Sequence, residues 1–280
     1  MSVDGITAEL RHWLTQQAEA GQSDAQSITA MLASGWDQED ALQALQLFKT
    51  DEALPAARLQ EIPDPIRPDA QPCAGTLWAG DREVRVLLSM RSPRIVVLGG
   101  LLSDEECDAL IATSALRMVR SETIASHSEG VEFNPARTSD GMFYARGENE
   151  IVQRIEARLE ALLAWPIEHG EGLQVLHYRA GAEYQPHFDY FNPEHPATSE
   201  ILQRGGQRLA TVVMYLSSVT AGGATIFPDA GLEIIPVKGN AVFFSYDRPH
   251  PATGTLHGGA LVLAGHKWVA TKWLREGQFD

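Results

Sequence analysis

The chain has 280 residues, with 22 Lys plus Arg against 37 Asp plus Glu, a formal net charge of −15, and 44% apolar residues. That apolar content excludes a disordered polymer, and the acidity argues against unassisted binding to nucleic acid or to anionic membranes. Cys73 and Cys107 are too few for a disulfide scaffold. With no secretory pattern over Met1–Leu10 and no apolar run of about 18 residues, the expected setting is soluble, reducing and cytoplasmic.

Three amphipathic stretches open the chain: Ile6 to about Ala20, about Ala25 to Ala33, and Gln38 to Phe48. Ser34-Gly35-Trp36-Asp37 reads as a turn followed by a helix N-cap. Ala41, Leu42, Leu45 and Phe48 then keep helical spacing. Residues 1–50 are therefore predicted to form a small three-helix module, a type of appendage suited to docking a protein partner. Pro55, Pro63, Pro65, Pro68 and Pro72 follow closely, fixing φ and removing donors, so residues 51–75 read as a linker.

The remaining domain, 76–280, mixes short strands with helices. Arg94–Leu98 reads as a strand. Ser103 with Glu106 forms a capping box for a helix running to about Ala115, and Gly147–Leu163 is a second helix. Gly141–Tyr144 is a strand between them. Strands are then predicted at Gly172–Tyr178, Glu183–Tyr190, Arg208–Leu216, Gly223–Phe227, Leu232–Pro236, Asn240–Tyr246, Ala252–Leu256, Gly259–Leu263 and Lys267–Leu274. Helices followed by many short strands predict a mainly β sandwich or barrel with flanking helices.

His187-Phe188-Asp189 lies on one of these strands, where residues two apart face the same way. An imidazole and a carboxylate on one face can share a metal ion; a lone pair of this kind is more often an ordinary hydrogen-bonding site. His250, His257 and His266 are candidates for a third ligand. His257 falls 70 residues after His187, beside a predicted strand end. Two His and one Asp occupy one octahedral face and leave the other positions open, a set that suits non-haem Fe(II) with a chelating cosubstrate and O2. Lys267, at the start of the last strand, would be costly inside a barrel unless it met an anion such as the far carboxylate of a dicarboxylate.

Four separated motifs resemble the prolyl 4-hydroxylase family of Fe(II)/2-oxoglutarate dioxygenases. They are Leu176-His177-Tyr178-Arg179-Ala180-Gly181-Ala182-Glu183-Tyr184-Gln185-Pro186-His187-Phe188-Asp189-Tyr190, Gly205-Gly206-Gln207-Arg208, Gly222-Gly223-Ala224-Thr225-Ile226-Phe227-Pro228, and the stretch from His257 through Lys267-Trp268-Val269-Ala270-Thr271-Lys272-Trp273. The resemblance covers roughly residues 90–275 and implies a double-stranded β-helix (jelly-roll) core. By position it implies that His187, Asp189 and His257 bind Fe(II), and that Lys267 and Tyr178 hold the distal carboxylate of 2-oxoglutarate. Thr225 would face the cosubstrate pocket, while Tyr184, Arg208 and Trp273 would line a peptide groove. Arg137-Thr138-Ser139 matches a substrate-side segment, preceded at Ser121–Pro135 by a polar stretch that would form a mobile lid.

The chain departs from that pattern at His266, at Ala260-Leu261-Val262 and in the long Phe191–Arg204 segment. The expected activity is hydroxylation of a proline in a protein or peptide, with release of succinate and CO2 and with L-ascorbate keeping the iron reduced. The alternatives are the same chemistry on a free amino acid or another side chain, and a non-catalytic β-helix binding protein.

Overall fold

The computed structural model describes residues 8–53, 75–120, 138–193 and 195–280. The chain forms two units, residues 1–60 and 61–280.

In the first unit, α1 (Ala8–Glu19), α2 (Asp24–Ala33) and α3 (Gln38–Ala53) enclose Leu14, Met31, Ala41, Ala44, Leu45 and Phe48. Ser23 starts α2 with a capping box, its backbone N–H donating to Gln26 Oε1 at 2.7 Å, and Asp37 Oδ1 accepts from the Asp40 N–H at 2.8 Å. Helix α3 runs three residues into the predicted linker. Lys49–Glu52 contains no helix breaker, and Pro55 restricts only the residue directly before it. The rest of the predicted linker, 54–74, lies outside the described residues.

The second unit contains β1 (Thr76–Trp78), β2 (Glu83–Met90), β3 (Arg94–Gly99), α4 (Asp104–Ala115), β4 (Val119–Arg120), β5 (Asp140–Tyr144), α5 (Glu150–Leu163), β6 (Leu173–Arg179) and β7 (Tyr184–His187). It continues with α6 (Thr198–Leu202), β8 (Arg208–Tyr215), β9 (Ala221–Gly222), β10 (Thr225–Phe227), β11 (Leu232–Ile234), β12 (Ala241–Ser245), β13 (His257–Gly259), β14 (Val262–Ala264) and β15 (His266–Arg275). Among the described residues the larger sheet has the order β1-β2-β3-β12-β8-β15-β6-β5-β4 and the smaller one β11-β10-β13-β7. Strands β12-β8-β15-β6 and β11-β10-β13-β7 are the two four-stranded faces of the jelly roll. Their inward residues share one core, with Leu176, Tyr178, Tyr215, Phe244 and Val269 from the larger face and Phe227 and Ile234 from the smaller.

Alternation decides which side each residue serves. On β15, Lys267, Val269, Thr271 and Trp273 point into the sandwich, and Lys272 points out to Glu156 of α5, with Nζ 2.5 Å from Oε1. The helix therefore covers the outer face of the larger sheet.

Four sequence expectations are corrected. The strand predicted at 183–190 is only β7, and Asp189 lies in a bend after it. The β1–β2 hairpin and α6 lie outside the predicted elements, although β2 alternates exposed Glu83, Arg85, Leu87 and Ser89 with buried Val84 and half-buried Val86, Leu88 and Met90. Residues 252–256 are not a strand. Pro251 has no N–H to donate, His250 Nδ1 accepts from the Ala252 N–H at 3.0 Å, and Gly254 sits at φ 64°, so Pro251–Thr253 forms a 3-10 turn. The predicted strand 259–263 is two strands, β13 and β14, separated where Ala260 N–H donates to the Ala224 carbonyl at 2.8 Å.

Candidate active site

His187 ends β7 and His257 begins β13, and the two are direct partners across that antiparallel pair. The pairing requires a glycine next to His257: a Cβ on Gly258 would lie 2.8 Å from the Tyr184 carbonyl oxygen. Asp189 follows His187 by two residues. His187 Nε2 lies 3.4 Å from Asp189 Oδ1, and His257 Nε2 lies 3.5 Å from Asp189 Oδ2. One ligand atom from each residue falls within 4.8 Å of the other two. Donors about 2.1 Å from one ion and at right angles are about 3 Å apart, so this spacing suits a shared metal.

The tautomers are set for ligation. His187 Nδ1–H donates to the Gln185 carbonyl at 3.0 Å, and His257 Nδ1–H donates to the Thr255 carbonyl at 3.0 Å. Each bond leaves the Nε2 lone pair free toward the common point. Burial pushes His257 down to about 4, so the imidazole is neutral at physiological pH. Burial opposes the Asp189 charge, yet His257, His187 and the Arg208 guanidinium hold its carboxyl well below the usual carboxylate range. Thr211 Oγ1 donates to Asp189 Oδ2 at 2.7 Å and lies 3.2 Å from the Tyr246 hydroxyl, which orients the carboxylate from behind.

The triad opens into a cavity of about 740 Å³. At one end lies Lys267, only 4% exposed. No acidic side chain among the described residues pairs with it, and burial lowers it to about 8. Tyr178 is its direct partner on β6, with Lys267 Nζ 5.6 Å from the ring centroid. Thr225 faces the same cavity, and its Oγ1 accepts from the Tyr215 hydroxyl at 2.9 Å. A buried cation with no anion, next to a three-donor metal site, fits a dicarboxylate that chelates the metal at one end. Both Fe(II) and 2-oxoglutarate therefore suit the residues present.

Tyr184 stacks on His187 with centroids 3.8 Å apart and borders Gly259 together with Lys267, whereas the other end of the cavity holds Trp273, 6.5 Å from Phe143. Arg208 also lines the cavity but is committed: Nε and Nη2 donate to Glu171 at 2.6 and 2.9 Å, and the guanidinium packs over Trp273 at 4.1 Å. Arg137 and the lid predicted at Ser121–Pro135 lie outside the described residues. Thr138 beside them exchanges hydrogen bonds with the backbone of Glu183, the residue before Tyr184.

Of the three late histidines, only His257 joins the triad. His250 caps a turn, and His266 points to the outer face, where its Nδ1 lies 3.0 Å from His177 Nε2. Sequence reasoning did not single out Gln174, Thr211 or Glu171. Gln174 was within reach of it: it stands in register with Leu176 and Tyr178 on the inward face of β6, a polar residue in an apolar series.

Residues 173–275 match the model of the 2OG-Fe(II) oxygenase superfamily. The chain is thus an Fe(II)- and 2-oxoglutarate-dependent dioxygenase by both fold and site. It is 39% identical over 221 residues to Prolyl 4-hydroxylase 5 of Arabidopsis thaliana, covering 71% of this chain and 74% of that one. It is likewise 39% identical to Probable prolyl 4-hydroxylase 3 of the same plant, covering 71% and 75%. Among solved structures, the viral collagen prolyl hydroxylase vCPH from Paramecium Bursaria Chlorella virus-1, in its 2OG complex, is 29% identical with a TM-score of 0.49, covering 65% of this chain and 95% of that one. The chain belongs to the prolyl 4-hydroxylase family.

Proposed function

We propose that this dioxygenase hydroxylates a proline within a protein or peptide. One observation carries the reading. Gln174 Oε1 and Trp273 Nε1–H are buried in the cavity wall without a hydrogen-bond partner among the described residues. One is an acceptor and the other a donor, the pair that a peptide main chain satisfies.

Bound Fe(II) supplies oxidative decarboxylation of 2-oxoglutarate to succinate and CO2, coupled to insertion of one oxygen atom from O2 into a C–H bond. The protein's own residues do the rest. Lys267 and Tyr178 fix the far carboxylate and so the orientation of the keto acid. Thr211 holds Asp189 so that its free oxygen faces the metal point. Tyr184 and Trp273 present ring faces to a rigid pyrrolidine, which loses little conformational freedom on binding. Apolar Leu176, Val213 and Val269 keep water from the centre.

L-ascorbate serves as the reductant for the iron in this reading, and Arg137 binds on the substrate side. The N-terminal helices dock a protein partner, a role supported by their separate core. A cytoplasmic setting is supported by the low cysteine content and by the buried free thiol of Cys107.

The test is anaerobic visible absorption with Fe(II) and 2-oxoglutarate, followed by aerobic turnover of proline-containing peptides. A charge-transfer band and a gain of one oxygen atom on proline are expected. A band with succinate release but no proline product on any peptide would reject the proline reading.

A further inference from the structure

Arg275, the last residue of β15, is 1% exposed. It follows Trp273 by two residues and so continues the inward face, yet it lies outside the cavity lining. Its Nη1 donates to Glu171 Oε1 at 3.0 Å, the same oxygen that accepts from Arg208 Nε at 2.6 Å. Its Nη2 donates to the Ile201 carbonyl at 3.1 Å and to the Arg204 carbonyl. These two carbonyls belong to the end of α6 and the turn after it; the Ile201 carbonyl also accepts from the Gln203 and Arg204 N–H groups, so Arg275 adds to the bonds that close the helix end. The guanidinium also packs on the Phe191 and Phe279 rings at 4.9 and 5.1 Å.

The two carbonyl contacts tie the α6 segment, residues 195–204, to the side chain that also holds Glu171 of the groove wall. His195, Ala197, Thr198 and Ile201 of that segment line the cavity. A second set of bonds frames the same segment: Thr198 Oγ1 donates to the Asn192 carbonyl at 2.6 Å, and Gln207 Nε2 donates to the Phe191 carbonyl at 2.9 Å. Glu171 is one carboxylate shared by two guanidiniums. Arg208 takes it through two nitrogens, so Arg275 turns its other arm to the α6 carbonyls. A planar fork can span both partners; an ammonium cannot.

We propose that Arg275 is a positioning residue that clamps the α6 segment against the Glu171–Arg208–Trp273 wall and thereby sets the affinity for the peptide strand, without touching the metal or the cosubstrate. This rests on the proposed peptide substrate. Residue type matters to the clamp: Arg275→Lys keeps a cation for Glu171 but cannot also reach the Ile201 and Arg204 carbonyls.

The experiment compares wild type, Arg275→Lys and Arg275→Ala in the full chain. It measures peptide KM and kcat, the Fe(II)/2-oxoglutarate absorption band, peptide-free succinate formation, and limited proteolysis mapped by mass. The clamp predicts a peptide KM raised about tenfold or more in both variants, kcat within about twofold, and an unchanged band. It also predicts new cleavage confined to 195–204 in both. Restoration of KM by Arg275→Lys would overturn it, leaving Arg275 as a counter-ion of Glu171 only. An unchanged KM, or loss of kcat at constant KM, would overturn it as well. If Arg275→Ala fails to fold, Arg275→Lys decides alone. If wild type forms succinate but hydroxylates no proline peptide, the proline reading fails, and protease protection of 195–204 in Arg275→Lys still decides the clamp.

Discussion

Buried Lys267 and half-buried Arg208 are both cations in the wall of one cavity, and they sit at opposite ends of it in opposite conditions. Arg208 has Glu171 on two of its nitrogens and Trp273 beneath its plane. Lys267 has the Tyr178 ring nearby and no acidic partner among the described residues. A buried charge with its counter-ion in place is structure. A buried charge without one is a binding site for an anion that comes and goes. The Lys267 end is therefore electrostatically incomplete, and in the proposed reading the far carboxylate of 2-oxoglutarate completes it. The groove end has its charges paired, while the Gln174 carbonyl oxygen and the Trp273 indole N–H in the cavity wall, and Arg275 Nε behind it, have no hydrogen-bond partner among the described residues.

Four changes test this contrast. The metal centre between the two ends gives the largest effect: His187→Ala removes a ligand, and hydroxylation should fall by more than about 100-fold with loss of the absorption band. Activity retained within tenfold would show that the triad is not the metal site.

Glu171→Gln comes next, because it leaves Arg208 and Arg275 buried without their shared anion. Chemical denaturation should show a loss of about 3 kcal/mol or more, and an unchanged midpoint would mean that the groove end is no more complete than the cosubstrate end.

Lys267→Ala should weaken 2-oxoglutarate binding by about 30-fold, with the metal affinity of the empty site little changed. The pH dependence sharpens this. Burial lowers Lys267 to about 8 in the empty site, and a bound carboxylate raises it again. Above pH 8, binding must take up a proton, so the apparent Kd for 2-oxoglutarate should rise about tenfold per pH unit; below pH 8 it should be flat. Titrations that stay flat through pH 9 would place the cosubstrate carboxylate elsewhere.

The smallest effect is expected from Thr211→Val, which removes the hydroxyl behind Asp189 at little change in volume. Iron affinity should drop about tenfold, read by competition with a chelator.

Part of the site is legible along the chain because strand geometry is periodic. Lys267 and Trp273 share a face of β15 by the two-residue repeat, whereas β7 ends at His187 and Asp189 lies in the bend beyond it, so that the carboxylate reaches the imidazoles through the turn and not through strand alternation. Arg208 shows the limit of that legibility. Nothing near residue 208 announces that its partner is Glu171, 37 residues earlier, since that contact depends on how the chain just before β6 lies against β8. His266, adjacent to Lys267 on β15, belongs by the same alternation to the outer face, but its partner there, His177, is set by the β6–β15 pairing. The misread strand at 252–256 failed for a local reason, since a proline without an N–H and a glycine at positive φ outweighed the apolar pattern.

What the amino-acid sequence determines by itself is the chemistry on offer: two imidazoles and a lysine on strand positions, a carboxylate two residues beyond the first imidazole, and glycines where backbones must approach. Local rules suffice for this, because φ/ψ preferences and side-chain alternation act over a few residues. Which ionisable groups are consumed by structure and which remain for a ligand is decided only when β7 meets β13 and β15 meets β6 and β8. Burial and pairing are properties of the packed sheets, and they separate the committed Arg208 from the available Lys267.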